Sequence, residues 1–126
     1  MNIKITPLHL IGENERGATF DFSTRKTGDF LFASRNAGSI SGNHYHKGLS
    51  SSKNPEILLL TSGEAVLFAQ TLDGKETFEE TLKAPVKVEI GTYIIHTIKA
   101  TTDISFVEFN SLEEHKKDTF YPKDQG

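Results

Sequence analysis

Apolar and polar residues alternate along much of this chain, in short stretches that end at turn residues. The alternation is clear in residues 18–22, 29–32 and 66–70, and an apolar run covers residues 56–61. Side chains of a β-strand point to opposite faces in turn, so this period of two is typical of half-buried strands. The sequence predicts an all-β fold of roughly eight to ten short strands, spaced as in sandwiches and barrels and closed over residues 28–109.

Turn and helix signals divide this pattern. Asp73-Gly74 predicts a two-residue hairpin turn, because both residue types tolerate a positive φ. Ser62-Gly63-Glu64 predicts a turn between two strands. Ser111, followed by Leu112 and two glutamates, predicts the N-cap of one short helix. Residues 47–55, rich in Ser, Gly and Asn, and the polar tail from Tyr121 are predicted to be loops.

The composition favours one folded, soluble domain. The chain has 126 residues with 36% hydrophobic and 10% aromatic residues, and its formal net charge is -3. That length fits a single domain over residues 1–126. A mildly acidic chain without a cluster of Lys and Arg lacks the charge that nucleic-acid binding needs. No apolar run approaches the ~20 residues of a membrane helix, and no export signal is visible, so we expect a cytoplasmic protein with no membrane partner.

Histidines supply the candidate chemistry. The chain has no cysteine, which excludes disulfides and thiolate ligands, so a metal ion would need His, Asp or Glu. His44 and His46 are two apart in a strand pattern, which places both imidazoles on one face and Tyr45 on the other. Glu56 begins the next strand and His96 lies in a later apolar strand. If these strands adjoin, three imidazoles and one carboxylate converge, a ligand set that suits Zn, Mn, Fe, Co or Ni.

Each of these four residues also has a simpler interpretation. His44 and His46 fit polar positions at a strand edge, Glu56 a solvated strand start, and His96 a hydrogen-bonded core histidine. It is the spacing of the four together that favours a metal site. His9 and His115 lie in polar contexts and are interpreted as surface histidines. Six phenylalanines are interpreted as core residues: Phe20, Phe22, Phe30, Phe32, Phe68 and Phe106.

A family resemblance rests on two motifs. They read Gly38-x5-His44-x-His46 followed by Glu56-x6-Gly63, and His96 with its neighbours. The first resembles the first motif of the cupin superfamily, and His96 lies where the second cupin motif has its histidine. The resemblance covers most of the chain and implies a cupin double-stranded β-helix, or jelly roll, with a divalent ion (Zn, Mn, Fe or Ni) at His44, His46, Glu56 and His96. The loop after His46 is longer than is usual in cupins, and Gly91 and Tyr93 replace the usual Pro and Gly before His96.

Shorter strings resemble particular cupins. They are residues 42–47, Ser52-Lys53-Asn54, Asp118-Thr119-Phe120-Tyr121 and residues 15–20. The first three resemble the C-terminal cupin domain of capsular-polysaccharide reductases that act on nucleotide sugars. The last is similar to a segment near the start of sugar-nucleotide cupins, including dTDP-4-keto-sugar epimerases. Arg16, whose planar guanidinium matches a substrate phosphate, and Lys47, beside the candidate ligands, are candidate substrate-binding residues. A turn arginine that is only structural is the alternative for Arg16.

The leading functional hypothesis is an epimerase or isomerase that acts on a keto-sugar nucleotide in surface polysaccharide biosynthesis. A metal-dependent dioxygenase or another small-molecule cupin enzyme is the first alternative, because three histidines and one glutamate also support O₂ chemistry with iron. A non-catalytic sugar-binding cupin is the second. Fold and ligand set alone do not separate these three. The segment Ile3-Lys4-Ile5 is expected to be an orphan strand that pairs with a second subunit in a homodimer.

Overall fold

The computed structural model describes residues 1–25 and 28–122, and this part of the chain contains eleven β-strands and one α-helix. The strands are β1 (Ile3–Pro7), β2 (His9–Asn14), β3 (Gly17–Asp21), β4 (Leu31–Arg35), β5 (Ile40–His44), β6 (Glu56–Ser62), β7 (Glu64–Thr71), β8 (Thr77–Lys83), β9 (Val86–Ile90), β10 (Ile94–Ala100) and β11 (Ile104–Glu108), and the helix is α1 (Leu112–Lys117). The all-β prediction is confirmed. Residues 123–126 of the predicted polar tail lie outside the described residues.

Two antiparallel sheets enclose the core. Strands β1-β9-β6-β11-β4 form one sheet and β5-β10-β7-β8 form the other. The core draws buried side chains from both sheets, among them Leu60, Leu67 and Val88. The first five residues of β6 are buried on both faces, because Ile57 and Leu59 pack outward against Phe109 while Leu58 and Leu60 face the core. Apolar packing therefore holds the two sheets together on either side of the strand that starts with Glu56.

Strand β1 differs from the sequence prediction. It is not an orphan, because Ile3 to Pro7 pair antiparallel with Ile90 to Val86 of β9. The sheet therefore extends beyond the predicted 28–109 range and takes in the N-terminal strand as its edge. Ile3 and Ile5 pack against the core, which gives the alternation of this segment its physical reason.

The hairpin predicted at Asp73-Gly74 is present as β7 and β8, but the prediction that its turn has two residues is wrong. Gln70 pairs with Thr77, and residues 72–76 form a longer loop. Asp73 Oδ1 accepts hydrogen bonds from the Thr71 hydroxyl at 2.7 Å and from the Lys75 backbone N–H at 3.0 Å. These bonds stabilise the wider loop. The residue pair Asp73-Gly74 does not by itself indicate a loop of this length.

Strands β2 and β3 form a separate hairpin that pairs with no other described strand. All its residues are exposed, including Leu10, Ile11 and Phe20. The core prediction for the phenylalanines is wrong for five of the six, since Phe20, Phe22, Phe30, Phe32 and Phe68 are 38–70% exposed and Phe106 is buried. Phe22 and Phe30 instead pack against Phe109, with ring centroids 6.2 Å and 5.0 Å apart.

The predicted helix is confirmed. Ser111 is the N-cap of α1 and accepts a hydrogen bond from the Glu114 backbone, while the Glu114 side chain accepts one from the Ser111 backbone. This capping box starts a helix that has too few residues to be stable alone. Nothing helical in the described part of the chain has the length and apolarity needed to span a bilayer.

Candidate metal centre

The four residues predicted to converge do so. His44 ends β5, His46 follows it, Glu56 begins β6, and His96 lies in β10, and one possible ligand atom from each lies within 4.8 Å of the others. Strand β10 pairs with β5 and brings His96 opposite His44. Tyr45 turns to the other side, where its ring packs against Tyr93 and Phe120. Binding of a metal by this set stays a prediction.

Gly42 allows β5 to approach β10 closely beside His96. Its φ is +96°, and a Cβ at this position would come within 2.7 Å of the His96 carbonyl oxygen. The register between the two strands shifts at the same place, between His96 and Thr97. The glycine thus permits the local backbone geometry that sets His44 and His96 ring to ring, with centroids 4.8 Å apart.

Backbone carbonyls orient two of the imidazoles. His46 Nδ1 lies 2.6 Å from the Asp118 carbonyl oxygen, and His96 Nδ1 lies 3.0 Å from that of Ile94. A carbonyl oxygen only accepts, so each Nδ1 carries a hydrogen, and the neutral ring has its lone pair on Nε2. Both Nε2 atoms are buried and have no hydrogen-bond partner. This is the arrangement of a histidine ready to bind a metal through Nε2, with its other nitrogen held by an outer partner.

The carboxylate of Glu56 lies between these two nitrogens. Its Oε2 contacts His46 Nε2, and its Oε1 is 3.8 Å from His96 Nε2. Lone pairs that face one another in a buried site repel unless a proton or a cation lies among them. A divalent ion satisfies both orphaned nitrogens and the carboxylate at once, so the donor set fits a metal of the Zn, Mn, Fe or Ni type.

The electrostatics favour the neutral forms of His44 and His96 and the ionised form of Glu56. Burial, followed by the charge of His96, lowers the pKa of His44 to about 3. Burial also lowers the pKa of His96. For Glu56 burial acts to raise the pKa, but the contact with His46 and the charges of His96 and Lys53 outweigh it and hold that pKa well below its usual range. Neutral imidazole and ionised carboxylate are the forms that bind metal.

Lys53 is a buried cation that the sequence analysis did not single out as a functional residue. Its side chain is fully buried, and Nζ lies 3.0 Å from Glu56 Oε2 and 3.0 Å from His115 Nδ1. Lys is almost never fully buried unless it is paired. The string Ser52-Lys53-Asn54 marked this segment only as part of a family resemblance, because a lysine in a polar loop is usually solvated.

The surface interpretation of His115 is wrong. The residue lies on α1 with its ring centroid 5.6 Å from that of His44 and 6.0 Å from that of His46. Burial, followed by the charge of Lys53, lowers its pKa to about 4. Its sequence context, among Glu and Lys residues of a short helix, resembles that of a surface histidine because those neighbours face solvent. His9, by contrast, is exposed as expected and bonds Asp21 at 3.0 Å.

A cavity of about 110 Å³ opens beside the four candidate ligands. Its lining includes Arg35, Glu108 and His115 together with three of the candidate ligands, His44, Glu56 and His96. Burial, followed by the charge of Glu56, raises the pKa of Glu108. Arg35 is exposed at the cavity and stacks over Phe106, with its Nε donating to Ser41 Oγ at 3.1 Å. Sequence reasoning missed both Arg35 and Glu108, since each lies in an ordinary strand pattern.

The two candidate substrate-binding residues lie elsewhere. Arg16 is in the β2–β3 hairpin and lines a separate surface cavity with Gly12 and Thr19. The Lys47 ammonium lies 4.1 Å from the centre of the Phe120 ring, and Lys47 is not among the residues that line the cavity at the candidate ligands. In a single chain, neither Arg16 nor Lys47 lies in the cluster of histidines. Arg35 is the cationic side chain that lines the cavity at this cluster.

Solved structures share this architecture. The 3,4-ketoisomerase QdtA from Thermoanaerobacterium thermosaccharolyticum, a variant solved in complex with TDP, superposes with a TM-score of 0.77 at 17% identity, over 98% of this chain and 90% of that one. The dTDP-4-dehydrorhamnose 3,5-epimerase from Sulfolobus tokodaii has a TM-score of 0.65 at 14% identity, over 85% of this chain and 68% of that one. This is the cupin fold.

A third structure belongs to a protein larger than this chain. The capsular polysaccharide assembling protein CapF from Staphylococcus aureus has a TM-score of 0.60 at 22% identity, and the match covers 91% of this chain but 34% of CapF. No protein-family model matches the chain, and a search of curated proteins finds no match. The jelly-roll prediction and the resemblance to sugar-nucleotide cupins are confirmed at the level of the fold.

The lowered pKa values predict an acid-sensitive metal-free protein. Between the pKa of an unfolded histidine, about 6.5, and the folded values for His44 and His115, the unfolded chain binds more protons than the folded one. The free energy of unfolding should therefore fall as the pH drops from about 6.5 towards about 4, and Glu56 adds a further loss at lower pH. Urea unfolding at several pH values measures this, and a stability that is constant or rises over that interval would contradict it.

Proposed function

We propose that this cupin is a metal-dependent epimerase or isomerase that acts on a keto-sugar nucleotide in surface polysaccharide biosynthesis. The observation that carries the proposal is the pair of buried Nε2 atoms on His46 and His96, which both face the Glu56 carboxylate beside a cavity. The solved 3,4-ketoisomerases and the 3,5-epimerase with this fold support the reaction class.

The site suits proton transfer next to a ketone. A divalent ion held by His44, His46, Glu56 and His96 would polarise the ketone oxygen. Glu108 lines the same cavity, and burial raises its pKa, which makes its carboxylate a stronger base than that of an exposed glutamate. We assign to the Glu108 carboxylate the removal of the proton on the carbon next to the ketone. Glu108 keeps that proton, and delivery of a proton from water to the other face of the carbon gives the epimer.

The charge at the cavity favours a phosphorylated substrate. Arg35 is held by its bonds to Ser41 Oγ and the Ser34 carbonyl, and the remaining N–H groups of its guanidinium are exposed. A planar guanidinium matches phosphate oxygens in pairs. The cavity at the candidate ligands has room for the reacting end of a sugar, so a diphosphate would lie outside it, towards Arg35. A closed apolar cavity, the mark of the dioxygenase alternative, is absent at this site, whose lining includes two carboxylates and an arginine.

Metal analysis combined with an exchange assay tests the proposal. The purified protein is loaded with Zn, Mn, Fe or Ni, and a panel of keto-sugar nucleotides is incubated with it in D₂O. We expect one ion per chain and deuterium at the carbon next to the ketone. Bound metal without exchange on any member of the panel would favour the sugar-binding alternative, and O₂ consumption with iron would favour the dioxygenase.

Glu108→Gln should separate proton transfer from metal binding. General acid–base groups typically contribute about 10² to 10⁴ in rate, so we expect the exchange rate to fall by at least about 100-fold while the metal content stays the same. Glu79→Gln, on strand β8 and exposed, is the matched control. An exchange rate within a factor of about three of the wild type would remove Glu108 from this role.

We also propose that the protein is a homodimer formed through the β2–β3 hairpin. An isolated two-stranded hairpin is marginally stable in water, and here Leu10, Ile11 and Phe20 are 38–56% exposed. A second copy that covers these side chains would stabilise both hairpins.

The sedimentation mass should be twice the 14.0 kDa of one chain, and the double variant Ile11→Glu, Phe20→Glu should be monomeric. A wild-type mass of one chain at micromolar concentration would contradict the dimer.

A further inference from the structure

His115 is the one imidazole of the cluster that the proposed chemistry leaves without a role. It is not among the four residues whose ligand atoms converge, yet it lines the same cavity. Its position depends on α1, which carries it to the ring of His44. A half-buried histidine at the edge of a reaction cavity, presented by a capped helix, is available to contact a bound substrate.

Lys53 determines which nitrogen of His115 carries the hydrogen. An ammonium group has three donors and no acceptor. The contact of 3.0 Å between Lys53 Nζ and His115 Nδ1 therefore requires Nδ1 to accept. A ring with an accepting Nδ1 carries its hydrogen on Nε2. A second positive charge on the ring is opposed by the same buried ammonium, which lies against it.

The cluster thus holds two kinds of imidazole. In His46 and His96 the hydrogen is on Nδ1 and the lone pair on Nε2, because backbone carbonyls accept from Nδ1. In His115 the arrangement is reversed, because Lys53 donates to Nδ1. We call the rings of His46 and His96 ligand-type and the ring of His115 donor-type. The hydrogen-bond partner of Nδ1 alone distinguishes the two types. The donor-type ring has Nδ1 turned to the buried lysine, and the residue lines the cavity.

We propose that His115 is a catalytic hydrogen-bond donor and that Lys53 is the residue that positions it. The inference rests on the proposed function and deepens it: Nε2–H of His115 donates to the ketone oxygen of the substrate as negative charge develops there. No bond forms to His115 and its proton is not transferred. When Glu108 removes the proton, the C–H electron pair becomes the new C=C bond and the C=O π pair moves to oxygen, where the Nε2–H stabilises it.

Nitrogen NMR of the full chain, labelled with ¹⁵N-histidine and loaded with Zn, tests the tautomer without any substrate. We expect one neutral ring with its hydrogen on Nε2, whose signals disappear in His115→Phe. In Lys53→Met the His115 ring should lose its preference for the hydrogen on Nε2. The signals of His9, which is exposed and outside the cluster, should stay unchanged. A wild-type His115 with its hydrogen on Nδ1, or with both nitrogens protonated, would overturn the proposal.

Deuterium exchange tests the catalytic role. Loss of one preorganised donor typically lowers kcat by about 10² to 10³, so His115→Phe should lower kcat by at least about 100-fold with KM nearly unchanged and one metal per chain retained. His115→Gln, which keeps an N–H donor on a side chain of similar reach, should recover at least about tenfold over His115→Phe. A His115→Phe protein within about threefold of the wild type would refute the role. Absence of exchange in the wild type would instead refute the proposed function, and the NMR result would still decide the tautomer.

Discussion

His46→Ala is expected to release the metal and abolish exchange while the β-fold remains. The ring is buried at the centre of the cluster and contacts the Glu56 carboxylate. Loss of an outer partner of a ligand already costs about 10- to 100-fold in metal affinity, so loss of the ligand itself should cost more than about 100-fold. The core between the sheets is apolar and does not contain His46, which leaves the fold intact. Metal content by elemental analysis and circular dichroism measure the two effects.

His9→Ala is the control for this variant, because His9 is exposed and bonded to Asp21 away from the cluster. The control should keep the metal content and the exchange rate of the wild type. Stoichiometric metal retained by His46→Ala at neutral pH would show that His46 is not a ligand. A wild type that takes up no metal after growth and purification with added Mn, Fe, Ni and Zn would show that the four residues do not form a metal site. Either result would favour the sugar-binding alternative.

Of the variants described, Asp118→Ala should lower the free energy of unfolding the most. The carboxylate is fully buried and accepts backbone N–H bonds from Lys47 at 2.8 Å, Gly48 at 3.0 Å and Ser50 at 3.2 Å. A hydrogen bond to a charged group contributes about 1.5–3 kcal/mol. We expect the free energy of unfolding to fall by at least about 3 kcal/mol, measured by urea denaturation.

Asp118→Asn is the matched variant for this prediction. It keeps one acceptor oxygen and the shape of the side chain but replaces the other oxygen with a donor. It should lose less stability than Asp118→Ala, and the difference isolates the bonds to one oxygen. If both variants unfolded at the same urea concentration as the wild type, the three backbone bonds would contribute nothing measurable, and residues 47–50 would need another explanation for their order.

The fold and the convergence of the four candidate ligands could be predicted from the sequence because strand patterns indicate both. Alternation along β7 specifies which side chains face the core, and the spacing of His44 and His46 places two rings on one face. Glu56 begins β6 because the apolar run starts directly after it. These features need only the period of a strand and the order of the residues.

The supporting residues could not be found in this way. Lys53 and His115 are 62 residues apart, and His46 and Asp118 are 72 apart, yet each pair is joined by a hydrogen bond. No period relates such positions, since the contacts arise only when α1 and the following residues pack against the loop before β6. The same limit explains β1, whose pairing with β9 depends on the whole sheet.

The order in which the chain is synthesised has a consequence for when the centre can be completed. His44, His46, Glu56 and His96 all leave the ribosome before Asp118, whose carbonyl orients His46, and before Phe120, which bridges to Tyr45. A nascent chain that ends near residue 110 carries every ligand but lacks both the carbonyl that fixes His46 and the helix that brings in His115. An ion that binds the oriented site would therefore enter only after residues 111–120 have packed against it.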